Sequence, residues 1–310
     1  MTYFSVVIAV FNKEKYIADT LKSVLAQTYQ NFEIVILNDG STDTSEAEIL
    51  KFKDPRIRYF SKENQGAGAA RNFVIKQAKH DYIALLDADD SWLPLYLEEQ
   101  AKLISDFPKE NVFATAIDIQ KGKKIYPSAY SVPNLKPNEA RTVNFYEASC
   151  LNSILTSSST VVHKDVFAKV GYYNPSIKSG QDTDLWIRIG LEYPVVFLNK
   201  TCAIYKYAVA SLSNSRLKTS DKASYEKYEV YEKNNLALKK FLDLNRYSLC
   251  IVAKMEGNKA VFQQNYQKIN LENLTKKQQF LLKQNKITLK YLLKTKEGLE
   301  KVGIKLGTFK

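Results

Sequence analysis

Short apolar runs alternate with stretches of helical period through about the first 120 residues, the pattern of βαβ units around a mostly parallel sheet and hence of an α/β fold. Tyr3 to Val10 is a near-continuous apolar run, which suits a strand buried on both faces. The spacing of Ile17, Leu21, Val24 and Leu25 predicts a helix after it, with Asn12 as cap. Phe32 to Leu37 reads as the second strand. Asp43, with Glu46 three residues on, reads as a capping box for a helix that turns Ile49 and Leu50 inward. Arg56 to Phe60, Ala67 to Ala78 and Tyr82 to Leu86 follow as strand, helix and strand, and Pro94 opens a helix carrying Leu97, Ala101 and Ile104.

Beyond this the pattern loosens. Gly122, Pro127, Pro133, Asn134 and Pro137 place a long loop or insertion between Lys121 and Ala140. Ser158 to His163 reads as a strand, Asp165 to Val170 as a helix stopped by Gly171, and Asp182 to Leu191 as an amphipathic helix. From about Ser215 the chain becomes Lys- and Tyr-rich, helical in period and almost free of Gly and Pro. The predicted organisation is therefore an α/β domain over 1–214, with halves at 1–110 and 111–214, and a basic helical region over 215–310.

Composition sharpens this picture in three ways. A hydrophobic content of 45% over 310 residues can supply a real core. No apolar run reaches the length of a spanning helix, and Asn12 and Lys13 break the first one, so the expectation is a soluble or peripheral protein without a leader. Cys150, Cys202 and Cys250 lie too far apart for a metal knuckle and suit reduced thiols in the cytoplasm. The net charge of +12 resides wholly in residues 216–310, which hold 21 Lys and Arg against 9 Asp and Glu. A uniformly basic domain that coats nucleic acid is excluded by that asymmetry.

In open α/β sheets ligands bind beyond the carboxyl ends of the strands, and four such junctions here are polar. They are Phe11-Asn12, Asn38-Asp39-Gly40-Ser41, Asn64-Gln65-Gly66 and Asp87-Ala88-Asp89-Asp90. Asp87 and Asp89 are two apart at a strand end, so an extended chain would point both carboxylates to one side, a donor set suited to Mg²⁺ or Mn²⁺. The plainer reading makes them caps of the next helix. Asp39 could accept a hydrogen bond from a base N–H or simply form a turn. Gly66 and Gly68 could let backbone N–H groups or Arg71 approach a nucleotide, or serve only the chain's turn into a helix.

Four stretches together, Ser5-Val-Val-Ile-Ala-Val-Phe-Asn12, Asn38-Asp-Gly-Ser-Thr-Asp43, Asn64-Gln-Gly-Ala-Gly-Ala-Ala-Arg-Asn72 and Leu85-Leu-Asp-Ala-Asp-Asp-Ser-Trp92, resemble in order and spacing the inverting glycosyltransferases of family 2. The resemblance implies the fold called GT-A. It places Asp39 and Arg71 at the nucleobase, Phe11 in the wall of its pocket, Asp87 near the ribose and Asp89 on the metal at the diphosphate. It also implies a general base near the start of a helix in the second half, where Gly180-Gln-Asp-Thr-Asp-Leu-Trp186 offers Asp182 and departs from the usual acid at Gln181. Many relatives carry a His where Ala208 aligns. His80 and His163, beside strands, suit structural roles.

On this resemblance the donor is a nucleotide sugar, with uridine diphosphate favoured, and the acceptor is a glycan or lipid-linked hydroxyl. A sugar nucleotidyltransferase would place a Gly-x-Gly-x-Arg loop after its first strand, whereas Val10-Phe-Asn-Lys13 has no Gly. A non-catalytic transferase scaffold that binds a ligand or membrane is the other alternative. For the basic region, Tyr225, Tyr228, Tyr231, Phe241, Phe280, Leu281, Leu282, Tyr291, Leu292 and Leu293 among lysines fit an anionic membrane surface, packing of helices on one another, or a homodimer interface.

Overall fold

The computed structural model of the chain describes residues 1–207 and 218–301. It divides into two compact units, Met1–Ser215 and Arg216–Lys310. In the first unit the order is β1 (Phe4–Val10), α1 (Ile17–Leu25), β2 (Phe32–Asp39), α2 (Ser45–Leu50), β3 (Ile57–Lys62), α3 (Ala67–Gln77) and β4 (Tyr82–Leu85). Next come β5 (Ser91–Trp92), α4 (Tyr96–Asp106), β6 (Val112–Lys121), β7 (Lys124–Pro127), β8 (Ala140–Val143) and α5 (Phe145–Ala148). The unit closes with β9 (Thr160–His163), α6 (Lys164–Val170), α7 (Gln181–Glu192) and β10 (Val195–Lys206).

One sheet runs β3-β2-β1-β4-β9-β6-β10-β5, with β7 on β6 and β8 on β10. Strands β3, β2, β1 and β4 are parallel, Val6 lying opposite Ile34 and Ala84. Beyond them β9 is antiparallel to both β4 and β6, so the sheet is mixed where the second half begins. Alternate residues Phe4, Val6, Ile8 and Val10 of β1 join Ile34 and Ile36 of β2 in a core with Ile17, Leu21, Val24, Leu97 and Ile104. Helix α3 packs on β1 and β2 as well. Burial on both faces is why these strands read as unbroken apolar runs rather than alternations.

Several local expectations change. Asn12 caps no helix: α1 begins at Ile17 without a side-chain cap, and Asn12 adopts a left-handed φ of 52° that turns its side chain to Thr42. The predicted capping box before α2 does not close, because Glu46 accepts a hydrogen bond from the Tyr59 hydroxyl at 2.7 Å. Asp43 instead receives the N–H of Ser45. Strands β6 and β10 occupy segments to which the sequence assigned no element, and the 121–140 segment contains the β7 hairpin arm. Ser158 and Ser159 fall in the turn before β9 rather than within a strand.

The second unit contains α8 (Glu229–Glu232), α9 (Leu236–Glu256), α10 (Lys259–Tyr266), α11 (Lys276–Lys283) and α12 (Lys286–Lys301). Asn235 caps α9 by accepting from Leu238 N–H, and Gly257 ends it in the left-handed conformation. Tyr247, Cys250 and Ile251 of α9 gather Leu274, Leu281, Leu282 and Leu289 into a core. Buried Asp243 is satisfied by Lys239, Arg246, the N–H of Asn270 and the amide of Asn273. Tyr225, Tyr228, Phe241, Leu281 and Leu282 are buried, so packing accounts for them and not a lipid-facing role.

Helix α7 approaches α5 so closely at Gly190 that a Cβ there would lie 2.9 Å from the buried Phe145 ring. Gly190→Val should therefore lower unfolding free energy by about 1–3 kcal/mol through overpacking, measured by urea denaturation. Unchanged stability would mean that α5 yields without cost.

Candidate active site

The polar junctions at the ends of β1, β2, β3 and β4 are tied together by side chains that bond across loops. Asn12 accepts the Thr42 N–H at 2.8 Å and donates its own N–H to Ser41 Oγ at 3.0 Å. Asp39, nearly buried, accepts the N–H groups of Gln65 at 3.0 Å and Gly66 at 3.1 Å, one on each oxygen. Its charge thus organises the turn into α3, and each oxygen keeps a further lone pair for a ligand. Gly40 is required here. Its φ is +69°, and a Cβ would come within 2.7 Å of the Asn64 nitrogen. Gly66 likewise takes a φ of +87° just before α3. Phe11 follows β1 with 45% of its surface exposed.

Arg71 projects from α3 between two carboxylates distant in sequence. Its Nη2 donates to Asp87 at 2.7 Å, its Nη1 stands 3.7 Å from Asp182, and the guanidinium lies over the Tyr173 ring. Burial disfavours the cation, yet the charges of Asp182 and Asp87 outweigh it and hold Arg71 firmly protonated. Nη1 is buried with no hydrogen-bond partner among the described residues, a donor available to a ligand. Asp182, in the first turn of α7, accepts from Ser157 Oγ at 3.1 Å. Burial raises its pKa from the ordinary 3.8, Arg71 opposes that, and the Asp87 charge adds to it; the result is a raised value. The carboxylate sits among Arg71, Ser157 and Tyr173, although 39% of the side chain remains accessible.

Asp87 and Asp89 do not lie on an extended chain as their spacing predicted. The segment turns, Asp90 N–H donating to the Asp87 carbonyl at 3.1 Å, and the two carboxylates meet different cations, Asp87 the Arg71 guanidinium and Asp89 the Lys13 ammonium. Asp90 is buried, bonded to Ser158 Oγ and to the Lys206 N–H; burial and the charges of Asp87 and Asp89 raise its pKa well above the usual range. No group of three or more His, Cys, Asp or Glu side chains among the described residues is disposed to hold a metal.

Lys13, Asn72, Ser157, Ser158 and Tyr173 belong to this crevice and were not anticipated for it. Asn72 makes a two-way bridge to Tyr173, its amide donating to the carbonyl at 2.8 Å and its oxygen accepting the N–H at 2.9 Å. Ser158 links Asp90 to the Asp87 N–H, and the Trp92 indole donates to its carbonyl. Gly68, in the first turn of α3, faces Gln181: a Cβ there would lie 2.6 Å from the Gln181 Oε1. Asp184 is turned away from this cluster and holds Arg188, which donates to the carbonyls of Val170, Gly171 and Tyr172. His163 accepts the Asp165 N–H as cap of α6, and His80 lies against Tyr3. Ala208 lies outside the described residues.

Residues 5–171 match the family described as Glycosyl transferase family 2. An uncharacterised glycosyltransferase of Methanocaldococcus jannaschii is 30% identical over 239 residues, covering 74% of this chain and 79% of its own. A second, from Rickettsia felis, is 33% identical over 201 residues, 62% of this chain but only 32% of its own length. The chain thus spans about a third of that relative. Among solved structures, residues 1–349 of S. aureus TarS in complex with UDP-GlcNAc superpose with a TM-score of 0.60 at 17% identity, over 95% of this chain and 92% of that one. That likeness carries the GT-A fold, α/β with a helical C-terminal region.

The two acids of α7 should separate by experiment. Asp184→Ala strands Arg188 beside three carbonyls and should cost roughly 3 kcal/mol in chemical denaturation, whereas Asp182→Asn leaves Arg71 its 2.7 Å pair with Asp87 and should cost clearly less. Equal destabilisation by both would place Asp182 in the framework.

Proposed function

Because the chain belongs to glycosyl transferase family 2, we propose that it transfers a sugar from a nucleoside diphosphate to an acceptor hydroxyl by one inverting displacement, with Asp182 as base. The observation that carries this reading is the line Asp87–Arg71–Asp182, which sets a carboxylate of raised pKa beside a guanidinium with a donor to spare. Asp182 takes the acceptor's proton as the new bond forms, and Arg71 meets the negative charge that develops on the departing diphosphate. Asp39 and Phe11 receive the base, with the Gly66 turn allowing close approach. Uridine diphosphate is the favoured carrier, supported by TarS having been solved with UDP-GlcNAc and with UDP. The acceptor is a glycan or lipid-linked hydroxyl in surface polysaccharide synthesis.

Charge balance supports a divalent cation. Lys13 and Arg71 are already matched by Asp89, Asp87 and Asp182, so among the described residues an incoming diphosphate finds no surplus positive charge in this cluster. Lys13 shows that Asp89 accommodates a cation, and hard carboxylate oxygens with few protein ligands suit Mn²⁺ or Mg²⁺. Asp89, with Asp87, would hold that ion, which when bound neutralises charge on the diphosphate.

Asp182→Asn should retain binding of a uridine diphosphate sugar in a thermal-shift assay and lose transfer by roughly a hundredfold or more. Transfer at wild-type rate would remove Asp182 from the mechanism; loss of donor turnover in every form, with and without Mn²⁺, would favour a non-catalytic scaffold. Since the base acts deprotonated and its pKa is raised, activity should climb with pH through a limb lying above the ordinary carboxylate value. A pH profile of kcat/KM that is flat above that value would contradict the assignment. Lys13→Met should free Asp89 and strengthen Mn²⁺ binding to the donor-free protein, read from free Mn²⁺ by electron paramagnetic resonance. Unchanged or weaker binding would put the ion elsewhere.

A further inference from the structure

Helices α11 and α12 each carry apolar side chains on the side opposite their buried stripe. At 3.6 residues per turn, Gln278, Leu281 and Leu282 form the buried side of α11, and Lys276, Phe280 and Lys283 stand exposed across from them. The next helix repeats the arrangement. Leu289 is buried and Leu292 packs on the same core, while Ile287, Lys290, Tyr291 and Lys294 line the outer face. Phe280, Ile287 and Tyr291 are 55%, 80% and 70% exposed. Between positions 276 and 296 the chain has seven lysines and no Asp or Glu.

We infer that this face docks on an acidic lipid surface, with Phe280, Ile287 and Tyr291 at the acyl boundary and the lysines among headgroup phosphates. Charge complementarity selects the occupant: the charged side chains described on this face are all lysines, which are drawn to an anionic leaflet, and protruding apolar side chains add burial there. A second copy would bring the same positive face against itself, which repels. Nucleic acid recognition favours guanidinium forks and stacking rings. The face has rings in Phe280 and Tyr291 but no guanidinium: α11 and α12 carry no arginine, and Arg246 is buried in ion pairs with Glu232 and Asp243. No helix among the described residues is long and apolar enough to cross a membrane, so the contact is interfacial. The inference stands on this face and not on the transfer reaction.

Co-sedimentation of the full chain with phosphatidylcholine vesicles, with and without phosphatidylglycerol, tests it. Binding should require the acidic lipid, weaken with salt and fall at least about tenfold in Lys283→Glu/Lys290→Glu. A similar loss is expected for Ile287→Ser/Tyr291→Ser, again at least about tenfold. All four positions are exposed, so circular dichroism and donor hydrolysis should match the parent; absence of hydrolysis in every form would count against the proposed reaction and leave the vesicle result standing. Recovery in the supernatant with both vesicles, equal binding to both, or acidic binding that survives both double substitutions would overturn the inference. So would unaltered vesicle binding alongside loss of oligonucleotide binding or of dimerisation in the same variants, which would assign the face to those partners.

Discussion

One largely buried cation joins the two sides of the crevice in the first unit. A guanidinium removed from water is tolerated only where opposite charge and hydrogen bonds replace its hydration, and Arg71 finds these on Asp87 at the end of β4 and Asp182 at the start of α7. Those two residues come from opposite halves of the sheet. Satisfying Arg71 therefore fixes the floor of the crevice, and α3 must approach α7 closely enough to do so. Gly68 permits that approach, and the Asn72 bridge to Tyr173 holds the preceding loop in place. The same electrostatic requirement that closes the fold leaves Asp182 with a counter-charge and Nη1 with an unspent donor.

Five carboxyl groups crowd this crevice, and they are accommodated by four different means. Asp39 uses backbone N–H groups, Asp89 an ammonium, Asp87 and Asp182 one shared guanidinium, and Asp90 is pushed by burial toward its neutral form. Like charges this close cannot all ionise freely. Burial and the charges of Asp87 and Asp89 hold Asp90 toward its neutral form, and the described cations of the cluster are already matched by carboxylates.

The sequence made the parallel half of the sheet legible because β1, β2 and β4 are buried on both faces and read as plain apolar runs. Asp39, Asp87 and Asp89 stand out in the sequence as polar junctions at the ends of β2 and β4, whereas Arg71, inside α3, is singled out by the Gly-rich turn before it and by the family resemblance. Strand β10 was not. Its pattern is interrupted at Asn199 and Lys200, where the pairing with β6 shifts register, so no period survives to be counted. Ser157 and Ser158 sit in a Thr-Ser-Ser-Ser-Thr run at the start of the expected strand, and their place in the site comes from partners distant in sequence: Asp182, 25 residues from Ser157, and Asp90, 68 residues from Ser158. Lys13 entered the sequence analysis only as a break in the first apolar run and as part of a loop without Gly; its partner Asp89 is 76 residues on.

Amphipathic period alone could not say what the basic helices do, because a stripe that packs inward and a stripe that meets lipid have the same spacing. The structure separates the two by phase. Leu281, Leu282 and Leu289 occupy the inward side and complete the core around α9, which accounts for the helical period without reference to any partner. Phe280, Ile287 and Tyr291 are then a second apolar set, offset by roughly half a turn from the first and flanked by lysines where an ordinary solvated face would mix both signs of charge. A helix needs only one apolar stripe to fold against its neighbours; the second has no folding role in this unit, and its cost in exposed apolar area is offset only where something outside the unit covers it.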